Sequence, residues 1–157
     1  MESENKSLEL VSGVDTPLIG TRDEVIDVVE SIIAQQEQVE CPVIHRFTPS
    51  MYIREVFVPA GTLLTSKTHK KEHPYVLSQG TITMWDGEGG RIDISAPYCG
   101  VTKENARRVV YVHQDCVFTT FHVSDKKTVE EVEKDIYQDY ENILLDDSLK
   151  EKLRLNK

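Results

Sequence analysis

The chain has 157 residues, 39% of them hydrophobic and 29% charged, which suits a single globular domain with its own core. A net charge of −9 opposes binding to nucleic-acid phosphates. The short basic runs Lys67/Lys70/Lys71 and Arg107/Arg108 read as solvated surface, so no nucleic-acid partner is expected. No apolar run approaches the roughly 20 residues of a bilayer span, so no membrane partner is expected either.

The opening MESENKSLEL is acidic and polar, without the basic and apolar regions of a secretory signal. Together with Cys41, Cys99 and Cys116, an odd set without a CxxC spacing, this points to reduced thiols in a cytoplasmic protein. Residues 1–20 read as a loose arm. Thr21-Arg22-Asp23-Glu24 is a capping box. Val25, Val28, Val29 and Ile32 follow at helical spacing, widened by Ile26 and Ile33, which predicts a helix to about Gln38.

From Pro42 the texture becomes β. Nine short runs are predicted: 43–47, 52–58, 62–65, 75–78, 81–85, 91–94, 98–102, 108–113 and 117–123. Turn chemistry such as Pro59-Ala60-Gly61, Gln79-Gly80 and His113-Gln114-Asp115 separates them. Thr81–Trp85 and Arg91–Ile94, joined by a glycine-rich turn, form the clearest hairpin. A second capping box at Thr128–Glu131 opens a helix lined by Val129, Val132, Ile136, Tyr140 and Ile143. Asp146-Asp147-Ser148 restarts a short one through Leu149, Leu153 and Leu155. The expected division is therefore an arm over 1–20, a helix plus barrel over 21–124, and a helical segment over 125–157.

Chemistry concentrates between Gly61 and Gly80. On one straight strand, His69 and His73 would stand about 13 Å apart at 3.3 Å per residue. They converge only if the chain turns at Lys70-Lys71-Glu72. On the last strand Phe118, Thr120 and His122 share a face, which makes His122 the candidate third ligand for a divalent metal. The competing reading is a set of hydrogen-bonded histidines lining a cleft. Neutral imidazoles accommodate Zn, Fe, Ni or Mn. Lys67, Glu72 and Arg108 are candidate ligand-binding residues, with Tyr75 and Tyr111 as aromatic walls. No GxSxG and no phosphate-binding glycine loop is present, and no catalytic residue is assigned.

Gly61, His69, Val76, Leu77 and Gly80 resemble the first motif of the cupins, with His69 at the second histidine of its His-x-His. Lys67 stands at the first histidine and His73 at the glutamate. In the second motif Asn105 stands for the glycine and Arg108 for the histidine. The resemblance covers residues 42–123. It implies a mainly β, cupin-like jelly-roll β-barrel (double-stranded β-helix) flanked by an N-terminal and a C-terminal α-helix. The wider pattern, including Cys41–Phe47 and Thr119–Val123, is similar to cupin-like proteins of phage and prophage genomes. That implies a location in the host cytoplasm or the virion.

Three functions compete: a small-molecule-binding or metal-supported ligand-binding protein, a phage accessory or virion scaffold that contacts other virion proteins, and a metal-dependent isomerase, epimerase or oxygenase. Two amphipathic helices beside a small barrel with edges to cover predict a homodimer.

Overall fold

The computed structural model describes residues 20–86 and 89–138. Apart from Gly20, the expected arm lies outside them, as do the helix continuation through Tyr140 and Ile143 and the short helix after Asp146. The elements are α1 (Arg22–Ala34), β1 (Val43–Phe47), β2 (Met51–Val58), β3 (Leu63–Thr65), β4 (His73–Trp85), β5 (Arg91–Ser95), β6 (Tyr98–Thr102), β7 (Val109–Val123) and α2 (Val129–Ile136).

All strand pairs are antiparallel, in the order β1-β2-β7-β4-β5, with β3 also on β7 and β6 also on β4. The predicted hairpin forms, from Thr81↔Ser95 to Trp85↔Arg91. Val43 of β1 and Ile94 of β5 stand at opposite ends of this path yet pack on one apolar cluster with Leu77, Ile82 and Val112. The sheet is therefore curled around its core. This curled, mainly β antiparallel sheet flanked by two helices is the coarse architecture expected of the chain.

Nine predicted runs become seven strands because two suspected turns lie inside strands. Gln79-Gly80 sits within β4 and Gln114-Asp115 within β7, and the β4–β7 register slips repeatedly between Leu77 and Ile82. Gly80 has φ +91°, and a Cβ there would fall 2.5 Å from the Asp115 carbonyl oxygen and 2.8 Å from Cys116 Cβ. This is a β-bulge at which two long strands bend together.

The capping box of α1 is complete, with Thr21 Oγ1 accepting from the Glu24 amide and Glu24 accepting from the Thr21 amide. The helix stops at Ala34, short of the predicted Gln38. Its Ile26 and Val29 pack on Val109, Leu63 and Trp85. Arg107 fastens it further through Asp23, Asp27 and Glu30, at 3.6, 2.7 and 3.0 Å. In α2, Val132 and Ile136 pack on Tyr52 and Tyr137. This helix ends at Ile136, where Tyr137 turns extended and forms a bridge with His69. The neighbouring bonds, Lys70 N–H to Ile136 O and Gln138 N–H to Thr68 O, lay the chain along residues 68–70.

Strand parity divides the sheet into two faces. Tyr52, Val56 and Val58 point into the core, so Ile53, Glu55 and Phe57 point out. The outer face of β1-β2-β7-β4-β6 is unusually apolar: Ile44, Phe57, Val101 and Val123 are 50, 37, 48 and 81% exposed. Among its charged residues, Arg46 and Glu55 pair at 3.6 Å. No described helix is long and apolar enough to cross a membrane.

Candidate functional site

The chain bends at Lys70-Lys71, so His69 precedes the turn and His73 opens β4. Their ring centroids lie 4.5 Å apart, the convergence that their spacing required. Inward parity on β7 brings His122 to 4.3 Å from His73 and 6.2 Å from His69. Rings continue on both sides: Tyr52 stacks on His122 at 5.8 Å, and Tyr137 meets His69 edge-on at 5.3 Å. On the far side of Tyr52, the His45 Nδ1 is 2.6 Å from the phenol oxygen.

Each imidazole has a distinct hydrogen-bond state. His73 Nδ1 lies 3.1 Å from the Lys71 carbonyl; a carbonyl only accepts, so Nδ1 carries the proton and Nε2 keeps its lone pair in the neutral ring. His122 Nε2 is 2.9 Å from Thr120 Oγ1. His69 Nδ1 is buried with no hydrogen-bond partner in the structure. Burial and then His73 hold His69 down to about 4, and burial followed by its two histidine neighbours holds His122 down to about 3. Burial lowers His73 as well. All three are neutral at pH 7.

His69 and His73 edge a cavity of about 250 Å³, with His122 packed beside them. His69, His73, Thr120 and Tyr137 form one part of its wall, and Val58, Val112 and Cys116 form deeply buried apolar lining. The three cysteines are free thiols.

The remaining sequence candidates separate by position. Lys67 lines the cavity with its Nζ 5.4 Å over the Tyr137 ring. Arg108 also lines it, with Nη1 donating to Met84 Sδ at 3.4 Å and the guanidinium 6.0 Å over the Tyr75 ring. Tyr75 is a core residue stacked on Phe118 at 5.0 Å, placed to support Arg108. Two expectations are corrected. Glu72 is exposed and pairs with Lys103 at 3.5 Å, because the turn that swings His73 inward leaves Glu72 outside. Tyr111 lies between the inward Val110 and Val112 and meets His113 edge-on at 4.9 Å, on the outer side of β7.

Sequence reasoning missed Arg54, Glu133 and Tyr137, all of which line the cavity. For Arg54 the signal was present: it interrupts the inward series Tyr52, Val56, Val58 with a cation.

Does this arrangement suit a metal? Among the described residues no group of three His, Cys, Asp or Glu side chains is set to hold a metal ion as they stand. The chemistry nonetheless suits a divalent transition metal: three neutral imidazoles, one with an orphaned buried nitrogen and one with its tautomer fixed by a backbone carbonyl.

No family model and no curated protein matches the chain. Solved structures do. Salicylate 1,2-dioxygenase (G106A mutant) from Pseudoaminobacter salicylatoxidans superimposes with TM-score 0.50 at 10% identity, over 61% of this chain and 29% of that one. The fold is cupin-like. A cupin domain from Bordetella pertussis Tohama I matches with TM-score 0.46 at 12% identity, over 57% of this chain and 98% of that one. Acetylacetone dioxygenase from Acinetobacter johnsonii matches with TM-score 0.45 at 18% identity, over 53% and 59%. The chain thus spans little more than half of one dioxygenase and under a third of the other. Identities this low speak to the cupin-like fold alone, and none of the three bears on a phage origin.

Proposed function

We propose that this cupin-like chain binds a small molecule in the cavity beside His69, His73 and His122, and that these three side chains hold a divalent transition metal there. The observation that carries this reading is the buried, unpartnered Nδ1 of His69, in a cavity wall shared with His73, with His122 packed beside both and burial disfavouring protonation of all three. An unsatisfied buried polar nitrogen costs about 1–3 kcal/mol, and a fold that retains one has a use for it. A bound metal would supply Lewis acidity toward an oxygen of the ligand. The chain's own groups do the rest: Lys71 O fixes the His73 tautomer, Thr120 orients His122, and Tyr137 covers His69. Glu133 is the sole carboxylate among the residues lining the cavity, and nothing places it against the histidines as a proton-transfer partner. Binding is therefore favoured over turnover.

The test is metal analysis of untagged protein, followed by titration of zinc, manganese, nickel and iron(II) into stripped protein. Near-stoichiometric uptake is expected, falling at least tenfold in His69→Ala. No uptake by the parent protein, or unchanged uptake by the variant, refutes the metal.

The outer sheet face is assigned to a second copy of this chain. The molecule carries −9 overall, so two copies repel through most of their surfaces, whereas this face has one internally neutralised charge pair among exposed apolar residues. Light scattering should give a dimer, and a Phe57→Glu/Ile44→Glu variant a folded monomer. A monomeric parent at high concentration would hand the face to the chain's own terminal segments or to another protein.

A further inference from the structure

Two guanidinium groups line the cavity without a counter-charge. Arg54 reaches it from β2 and Arg108 from the start of β7. Neither has a carboxylate within ion-pair distance among the described residues, and the Arg108 guanidinium meets the uncharged Met84 thioether and Tyr75 side chain. The contrast with the adjacent residue is sharp: Arg107 carries three carboxylates. In a chain with 27 acidic residues and 18 basic ones, cations go unpaired in a cavity only where something else neutralises them. Glu133, the lining carboxylate, pairs with neither.

The rest of the lining sets the ligand's other end. Beyond Arg54 along β2 come Val56 and Val58, and beyond Arg108 along β7 come Val110 and Val112; all four line the cavity. Past Arg54 the inward β2 residues offer no hydrogen-bond partner, and on β7 Val110 and Val112 offer none before Cys116, Phe118 and Thr120. At about 30 Å³ per water-sized group, a 250 Å³ cavity holds on the order of ten non-hydrogen atoms.

We propose that the cavity's ligand is a small organic monocarboxylate, its carboxylate held by Arg54 and Arg108 and its compact apolar body lying against Val58 and Val112. This rests on the reading of the cavity as a ligand site and adds the ligand's charge and polarity. Guanidinium suits the role because its planar fork matches a carboxylate. The apolar lining disfavours a fully hydrated anion such as phosphate.

The experiment uses metal-stripped full-length protein at pH 7. Thermal shift and calorimetric titration are run with hexanoate and benzoate, with hexanamide and benzamide as uncharged isosteres, and with inorganic phosphate. The acids should bind at least tenfold more tightly than their amides and than phosphate. Arg54→Gln and Arg108→Gln, each checked by circular dichroism for native folding, should each lose about tenfold affinity for the acids. Zinc uptake is measured on the same samples, so the two readings can fail separately. Acids that bind to protein lacking zinc uptake support the carboxylate site and remove the metal. Amides that bind as well as acids overturn the carboxylate assignment but keep the cavity as a ligand site. Phosphate that binds as tightly as the acids overturns the organic class, and binding unaltered in both arginine variants overturns their role. Binding of no probe overturns the inference outright.

Discussion

Gly80→Ala should lose about 2–5 kcal/mol of stability, from the left-handed backbone cost of about 1–2 kcal/mol plus an overpacking cost of about 1–3 kcal/mol. The backbone cost follows from φ +91°. The steric cost follows from the Asp115 carbonyl and the Cys116 Cβ, 2.5 and 2.8 Å from the new methyl position. The carbonyl is backbone on β7, which pairs with β2 and β4 beside the bulge, and Cys116 is buried in the main core, so neither yields cheaply. Gly61 supplies the control. Its φ is +82° but nothing lies within 4 Å of its Cβ position, so Gly61→Ala should lose only the backbone share, about 1–2 kcal/mol. Thermal or urea unfolding of the pair reads both. Equal losses would show that the tight β4–β7 approach at the bulge is not what Gly80 serves.

Between pH 6.5 and pH 4 the protein should lose stability steeply, well before its carboxylates titrate. In the unfolded chain a histidine takes up its proton near 6.5, whereas folded His69 resists until about 4 and folded His122 until about 3. In that window the unfolded state binds more protons, so stability falls as pH falls. The stability is complete above 6.5, declines through the window and levels off below the folded values. For His69 a gap of this size corresponds to on the order of 3 kcal/mol. Asp23, lowered mainly by its hydrogen bond from Arg22, contributes with the opposite arrangement: its share is present above the usual carboxylate value and is lost below it. The histidine share thus begins to fall near 6.5, before the Asp23 share does, and the two windows overlap only at their acid end. Denaturation midpoints measured at half-unit pH steps should slope between 6.5 and 4, and His69→Gln should flatten part of that slope. A midpoint constant from pH 7 to pH 5 would mean that the imidazoles are not buried neutral.

Much of this was legible in the residues, and the failures have physical causes. Spacing and the strand rise set the condition for His69/His73 convergence, a turn at Lys70-Lys71-Glu72, and the shared face of Phe118, Thr120 and His122 made His122 the third candidate. The same parity argument, applied to Tyr52, Val56 and Val58, reaches Arg54, but a cation within a run of strand formers draws less notice than a histidine. Tyr111 was chosen by side-chain type; its alternation with Val110 and Val112 decides the matter the other way. Gln79-Gly80 and Gln114-Asp115 show a real degeneracy, because a bulge and a tight turn use the same permissive residues. Tyr137 shows tertiary override: the helical periodicity ran on through it, and its bridge to His69 won.

That bridge also bears on where this protein can be divided. The sequence suggested a barrel ending at residue 124 with a helical appendage behind it. Yet Glu133 and Tyr137 line the cavity, and residues 136–138 bond to residues 68–70. The appendage is thus a component of the pocket. A fragment stopping at Ser124 would keep every strand but leave His69 without its aromatic cover, and the orphaned nitrogen on which the metal reading rests would face water instead of protein.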